Sequence, residues 1–317
     1  MSAEPEVVLT LLAVLLAGPV PAALARASWP AHSPRAALVL WQSVALAAVL
    51  AAFGAGLAIA SRLLVPDTAT GRPTTSPTDE LAALGAPLWV AYVVVLILTL
   101  VVGARLVITV AQVAVRTRRL RKRHRDLVDL LATEHVPELH RPPPDLRVLQ
   151  AGQPLAYCLP GLRSRVVLSH ATLTELEPEE LRAVLAHERA HLRARHDLVL
   201  EAFLALHTAF PRWVRSRSAL QAVRFLVELL ADDVAARRAG VKPLARALVA
   251  CAAGPAPSGA MAANGPDTLA RVQRLGDSAH SPRAVSAAAY VMSAAILVVP
   301  TLAVAVPWLT EISRLLR

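Results

Sequence analysis

The chain has 317 residues, 55% of them hydrophobic and only 4% aromatic, with a formal net charge of +10. A mean hydropathy of +0.49 excludes an ordinary soluble enzyme and describes a chain that places much of its length in lipid. A pI of about 10.9 raises the question of nucleic acid. No direct nucleic-acid binding is expected, because no zinc finger, RNA-binding sheet signature or aromatic-interleaved basic patch accompanies the charge.

Four stretches without a charged residue are long enough to cross a bilayer at roughly 20 residues per span: 7–25, 36–61, 86–104 and 284–310. The third continues past Arg105 to about residue 115. The first reads as an anchor rather than a cleavable signal, since "MSAEPE" opens with carboxylates where a secretory signal carries basic residues. Arg116, Arg118, Arg119, Arg121, Lys122, Arg123 and Arg125 crowd the end of the third span. The positive-inside rule sets that side as cytoplasmic. Alternation then places the acidic start, the Pro/Thr-rich loop after the second span and the C-terminal tail outside, although Arg314 and Arg317 in that tail run against the rule.

The sequence therefore divides into three spans over 1–115 (about 7–25, 36–61 and 86–115), a polar cytoplasmic block over 116–283, and a fourth span with a short tail over 284–317. A helix runs on from the third span through "RRLRKRHRDLVDLLATEH" and breaks at "RPPPD", where prolines cannot sustain it. Short apolar runs "LRVLQ", "LAYCL" and "RVVLS" predict a small sheet, the last two joined by the turn signal "PGLRS". Pro178 and the acids around it start a helix that carries "LAHERAHLRARHD". Further helices are predicted from about 198 to 210, 212 to 239 and 243 to 253. "GPAPSGAMAANGPD" reads as a mobile linker. The two cysteines, Cys158 and Cys251, fall on the cytoplasmic side, where a disulfide is not expected; the residue types favour inert packing for Cys158.

His187-Glu188-x-x-His191 is the chemical signal. Residues four apart in a helix differ by about 40° of rotation, so His187 and His191 share a face and can offer imidazole nitrogens to one zinc ion. Glu188, at the edge of that face, can take a proton from the attacking water. A catalytic zinc site needs one more protein ligand. His196, nine positions from His187, points to the far side if the helix continues. Asp197 falls where the pattern His-Glu-x-x-His-x-x-Gly-x-x-ligand puts the third ligand, but position 194 is Ala where that turn needs Gly; Asp197 is the runner-up. "ELLADD" supplies the preferred set: Glu228 as third ligand and Asp232, one turn on, as the partner that orients a ligating histidine. The competing account makes Glu228, Asp232 and Asp233 a solvated stripe pairing with Arg224, Arg237 or Arg238.

"YCLPGLRSRVVLSHATLTELEPEELRAVLAHERAHLRARHD" followed by "ELLADD" resembles the membrane metallopeptidases of the BlaR/MecR antirepressor type and, more distantly, the HtpX and CAAX prenyl protease group. The resemblance implies a membrane α-helical protein of four transmembrane helices with an inserted α+β, zincin-like cytoplasmic metalloprotease domain. It implies one Zn2+ held by His187, His191 and Glu228, Glu188 as the catalytic glutamate, and an edge strand, Arg165, Val166, Val167, Leu168 and Ser169, that pairs with substrate backbone. It implies a multi-pass plasma-membrane endopeptidase in signal transduction, with a protein substrate such as a BlaI/MecI-like repressor. Quality control of membrane proteins, or a non-catalytic signalling module, are the alternatives. Arg195-His196-Asp197 is a recurrent element of the group without an assigned role. No Ser-x-x-Lys occurs, so covalent β-lactam sensing by that motif is not expected.

Overall fold

The computed structural model of the chain describes residues 5–64, 76–133, 143–210, 217–252, 261–262, 268–277 and 283–315. Over these residues the protein is mostly helical. The N-terminal part holds α1 (Pro5–Ala17), α2 (Pro19–Arg26), α3 (Trp29–His32), α4 (Pro34–Ala60), α5 (Pro77–Leu84) and α6 (Ala86–Leu131). Next come β1 (Leu146–Leu149), β2 (Ala156–Leu159), β3 (Arg165–Ser169), α7 (His170–Glu175), α8 (Pro178–Ala194), α9 (His196–Ala209), α10 (Arg217–Ala239) and α11 (Val241–Cys251). β4 (Met261–Ala262), α12 (Thr268–Gly276) and α13 (Arg283–Leu315) complete the order.

Among the described residues, three segments are long and apolar enough to cross a membrane: Glu6–Arg26, Pro34–Leu63 and Ala86–Leu131. The first is not the single rod expected from 7–25. It breaks at Gly18 between α1 and α2, where Pro19 and Pro21 remove backbone donors. α6 runs unbroken for 46 residues, carrying the third apolar stretch straight into the arginine-rich run. At 1.5 Å per residue it is about 69 Å long, over twice a hydrocarbon core of about 30 Å. It ends at Leu131, ahead of the proline run; residues 134–142 lie outside the described residues. α13 spans 33 residues, with a shorter apolar portion at Arg283–Val298.

α4 is the central post, packed on α1, α6, α13 and α10. Ala36, Ala37, Ala47 and Ala51 are buried along it, and such small side chains let helices in lipid approach closely. At Gly56 the approach is closest: a Cβ there would lie 2.2 Å from Thr99 Oγ1 of α6. One apolar core joins these helices to the polar block, with Leu24, Trp41 and Val44 in the same cluster as Phe203, Val223 and Leu226.

The sheet order is β1-β3-β2-β4. β1 runs parallel to β3, with Leu146 opposite Val166; β2 is antiparallel to β3, with Ala156 opposite Leu168. Side chains alternate between its faces. Val166, Leu168 and Ala156 pack with Val184 of α8 and Ala247 of α11, while Val167, Tyr157 and Leu159 pack with Val128 of α6. The sheet is thus held between the α6 extension and the motif helix.

Two expectations are corrected here. β3 is not an edge: β1 and β2 flank it and use both sides of its backbone. Arg165 pairs with Asp129 at 3.1 Å, Val166, Val167 and Leu168 are buried, and Ser169 caps α7 by accepting from the Thr172 N–H. None of the five is free to pair with an extended peptide. Within the segment read as a mobile linker, Met261–Ala262 instead forms β4, antiparallel on β2 with Met261 opposite Cys158; residues 253–260 and 263–267 lie outside the described residues.

Candidate metal centre

α8 starts where Pro178 follows Glu177, whose backbone N–H donates to Glu180 Oε2 at 3.1 Å, an arrangement that fixes a helix start. α8 packs on α10, α11 and β2, which buries the face carrying the motif: His187 and Glu188 are 0% exposed and His191 1%. α10 lies across this face and brings Glu228 to it.

His187 Nε2 and His191 Nε2 are 3.1 Å apart. Glu228 Oε2 is 3.4 Å from His187 Nε2, and Glu228 Oε1 is 3.6 Å from His191 Nε2. Four-coordinate zinc with bonds of about 2.0–2.2 Å places neighbouring ligand atoms about 3.3–3.5 Å apart. The three donors therefore fit one tetrahedral ion, and they form the group whose ligand atoms all lie within 4.8 Å of one another.

Behind the donors sits a layer that aligns them. Asp232 Oδ1 is 3.0 Å from His187 Nδ1, which leaves Nε2 to face the other donors. Arg271 of α12, 0% exposed, donates to Asp232 through Nε at 2.8 Å and Nη2 at 2.7 Å and lies 3.2 Å from Glu228 Oε2 through Nη1. One guanidinium is thereby shared between Glu228 and Asp232. Asp232 does not belong to a solvated stripe, and Asp233 pairs with Arg274 at 2.7 Å.

His196 corrects the expectation that it faces away. α8 ends at Ala194, and Arg195 adopts the left-handed conformation at φ 52° and ψ 41°, a strain of order 1–3 kcal/mol for a residue with a Cβ. The chain reverses there and α9 begins, so that His196 Nδ1 lies 3.0 Å from His191 Nδ1. Asp197 stands away from the three donors: its Oδ2 accepts from Arg121 at 3.1 Å. Sequence reasoning missed the parts of His196 and Arg271. The first required knowing that a non-glycine residue makes the turn; the second comes from a helix about forty residues beyond the ligands, with no local pattern to mark it.

Burial shapes the charges. It pushes the Glu188 carboxyl up to about 7, against the pull of His187. Neither Glu188 oxygen makes a hydrogen bond of ordinary geometry, and the Cys158 thiol beside it is raised well above its usual range by burial and by Glu188. Burial lowers His187, but the Asp232 and Glu228 carboxylates close to its ring nitrogens outweigh it and raise the imidazole to about 9. Burial also lowers His191 to about 3 and His196 to about 4, leaving both neutral, the form in which His191 can ligate and His196 can accept a proton from it. Glu228, although buried, is held below the usual carboxylate range by His191, His187 and Arg271.

Residues 116–215 match the model of peptidase family M48. That part of the chain is similar to M48 peptidases. M48 peptidases are zinc metalloproteases, in keeping with the donor geometry. The matched segment holds His187, Glu188, His191 and His196, while Glu228, Asp232 and Arg271 come from helices beyond it. No curated protein and no solved structure matches the chain.

Proposed function

We propose that the protein is a multi-pass membrane zinc endopeptidase that cuts polypeptide at the cytoplasmic face. The observation that carries this reading is the convergence of His187, His191 and Glu228 beside a buried Glu188 with no ordinary hydrogen bond, with the two histidines and Glu188 in a segment that matches M48. The four-span topology rests on the three long apolar helices, the charge-free start of α13 and the arginine run after the third span.

Zinc at the three donors would polarise the scissile carbonyl and bring the pKa of a bound water to about 7. Glu188, itself near 7, takes the proton from the attacking water and delivers it to the leaving amine. Asp232 and Arg271 hold His187 and Glu228 in place, and His196 fixes the His191 ring. The burial of Glu188 keeps bulk water from the proton in transit.

The narrower reading is regulatory: the substrate is a BlaI/MecI-like repressor, supported by the antirepressor-type run from "YCLPG" to "RARHD". The match to M48 favours a second reading, general turnover of damaged membrane proteins. A Glu188→Gln protein in native membranes, crosslinked to what it holds, separates the two: one captured repressor supports regulation, and many unrelated membrane proteins support turnover. Failure of purified, zinc-loaded wild type to cleave any unfolded protein would sink both.

A further inference from the structure

The part of α6 beyond the third apolar stretch has two chemically different faces. On one, Arg121, His124, Arg125 and Val128 form a single helical stripe and meet the rest of the protein. Arg121 reaches Asp197 at 3.1 Å, His124 Nε2 lies 2.9 Å from the Tyr157 hydroxyl, and Arg125 donates to the Pro160 carbonyl at 3.1 Å. Val128 is buried against the sheet.

The other stripe, Thr109, Gln112, Arg116, Arg119 and Arg123, advances in alternating steps of three and four. It lines one wall of a groove of about 730 Å³, and Thr208 of α9 stands on the other. Arg116, Arg119 and Arg123 are exposed, and among the described residues none has an ion-pair or hydrogen-bond partner. Three unneutralised guanidiniums thus span about 10.5 Å of helix axis. Such forks recognise phosphate oxygens through paired N–H bonds. On the same side of the helix the stripe is preceded by the exposed apolar surface of Leu98, Val101 and Ile108. An apolar surface that turns cationic at one level matches an anionic lipid, with tails on one part and phosphate on the other.

We propose that this groove binds the headgroup phosphate of one anionic phospholipid, whose acyl chains lie along Leu98, Val101 and Ile108. The inference rests on the membrane-spanning reading above and not on peptidase activity. The face opposite the groove carries Arg121, which ties α6 to Asp197 next to His196, so the lipid sits on the helix that buttresses the metal centre.

The test uses the full chain in phosphatidylcholine nanodiscs doped with phosphatidylglycerol, with retained lipid counted by native mass spectrometry. Wild type should hold phosphatidylglycerol selectively. Arg116→Gln/Arg119→Gln/Arg123→Gln should lose that selectivity by on the order of a hundredfold, three contacts of about fivefold each. A control, Arg118→Gln/Lys122→Gln/Arg163→Gln, removes equal charge elsewhere and should keep it. Equal loss in the control, or no selectivity in wild type, overturns the proposal. A photoreactive phosphatidylglycerol on wild type should label residues 98–123, and labelling only elsewhere overturns it without any variant. Displacement of that label by inorganic phosphate would assign the groove to free phosphate instead. Release of the wild-type chain from membranes by alkaline carbonate would defeat the membrane reading separately.

Discussion

His196 Nδ1 lies 3.0 Å from His191 Nδ1 although the two residues stand on different helices. For His191 to present a lone pair at Nε2, its proton must sit on Nδ1, and His196 is the group placed to accept it. His196→Ala removes the acceptor and frees the ring to rotate. Zinc affinity, measured by competition with a coloured chelator, should fall about 10–100-fold. Unchanged affinity would reduce His196 to packing.

Arg271 has a different task. It is the buried cation shared by Asp232 and Glu228, so Arg271→Ala leaves two buried carboxylates with only the His187 imidazolium beside them. Such a loss costs about 3–5 kcal/mol, visible in chemical denaturation of the metal-free protein. Arg271→Lys keeps the charge but not the fork, and should recover part of the stability while zinc affinity stays reduced. A variant as stable as wild type would show that α12 merely rests on the site.

Much of this was readable from residue order. The spacing of His187 and His191 on one helical face, the Glu228/Asp232 pair one turn apart, and the continuation of the third apolar stretch into α6 all follow from the helical period. Register and reversal do not. Whether "RVVLS" is central or at an edge depends on which strands reach it, and β1 arrives from the far side of a proline run. The turn at Arg195 defies residue preference, because a left-handed backbone favours glycine, so local sequence argued for a continuous helix. Pairing of Met261–Ala262 with β2 is set by tertiary placement, since a two-residue strand has no period to read.

The proton on His187 competes with metal. Because its partners raise that imidazole to about 9, metal binding below that pH must displace a proton. Apparent zinc affinity of the metal-free protein should therefore climb about tenfold per pH unit between roughly 6.5 and 9 and level off above it. Asp232→Asn weakens the hold on that proton, so its plateau should begin at lower pH, with a lower plateau affinity. Calorimetric titration across the range measures both, and a flat profile in wild type would contradict the assignment.

Glu188→Gln separates chemistry from structure. The amide keeps the shape but cannot accept a proton, so zinc content should stay at the wild-type level while peptide hydrolysis falls about 10²–10⁴-fold. The same substitution has a signature in the metal-free fold. Burial raises the Glu188 carboxyl from 4.5 to about 7, so the folded state binds its proton more tightly than the unfolded state does. That contribution to stability is fully present below pH 4.5 and is lost as pH rises to about 7. Wild-type melting temperature should drop across this window more steeply than that of Glu188→Gln, which has no carboxyl to ionise there. Parallel melting curves would place Glu188 in water rather than in the buried setting that its chemistry requires.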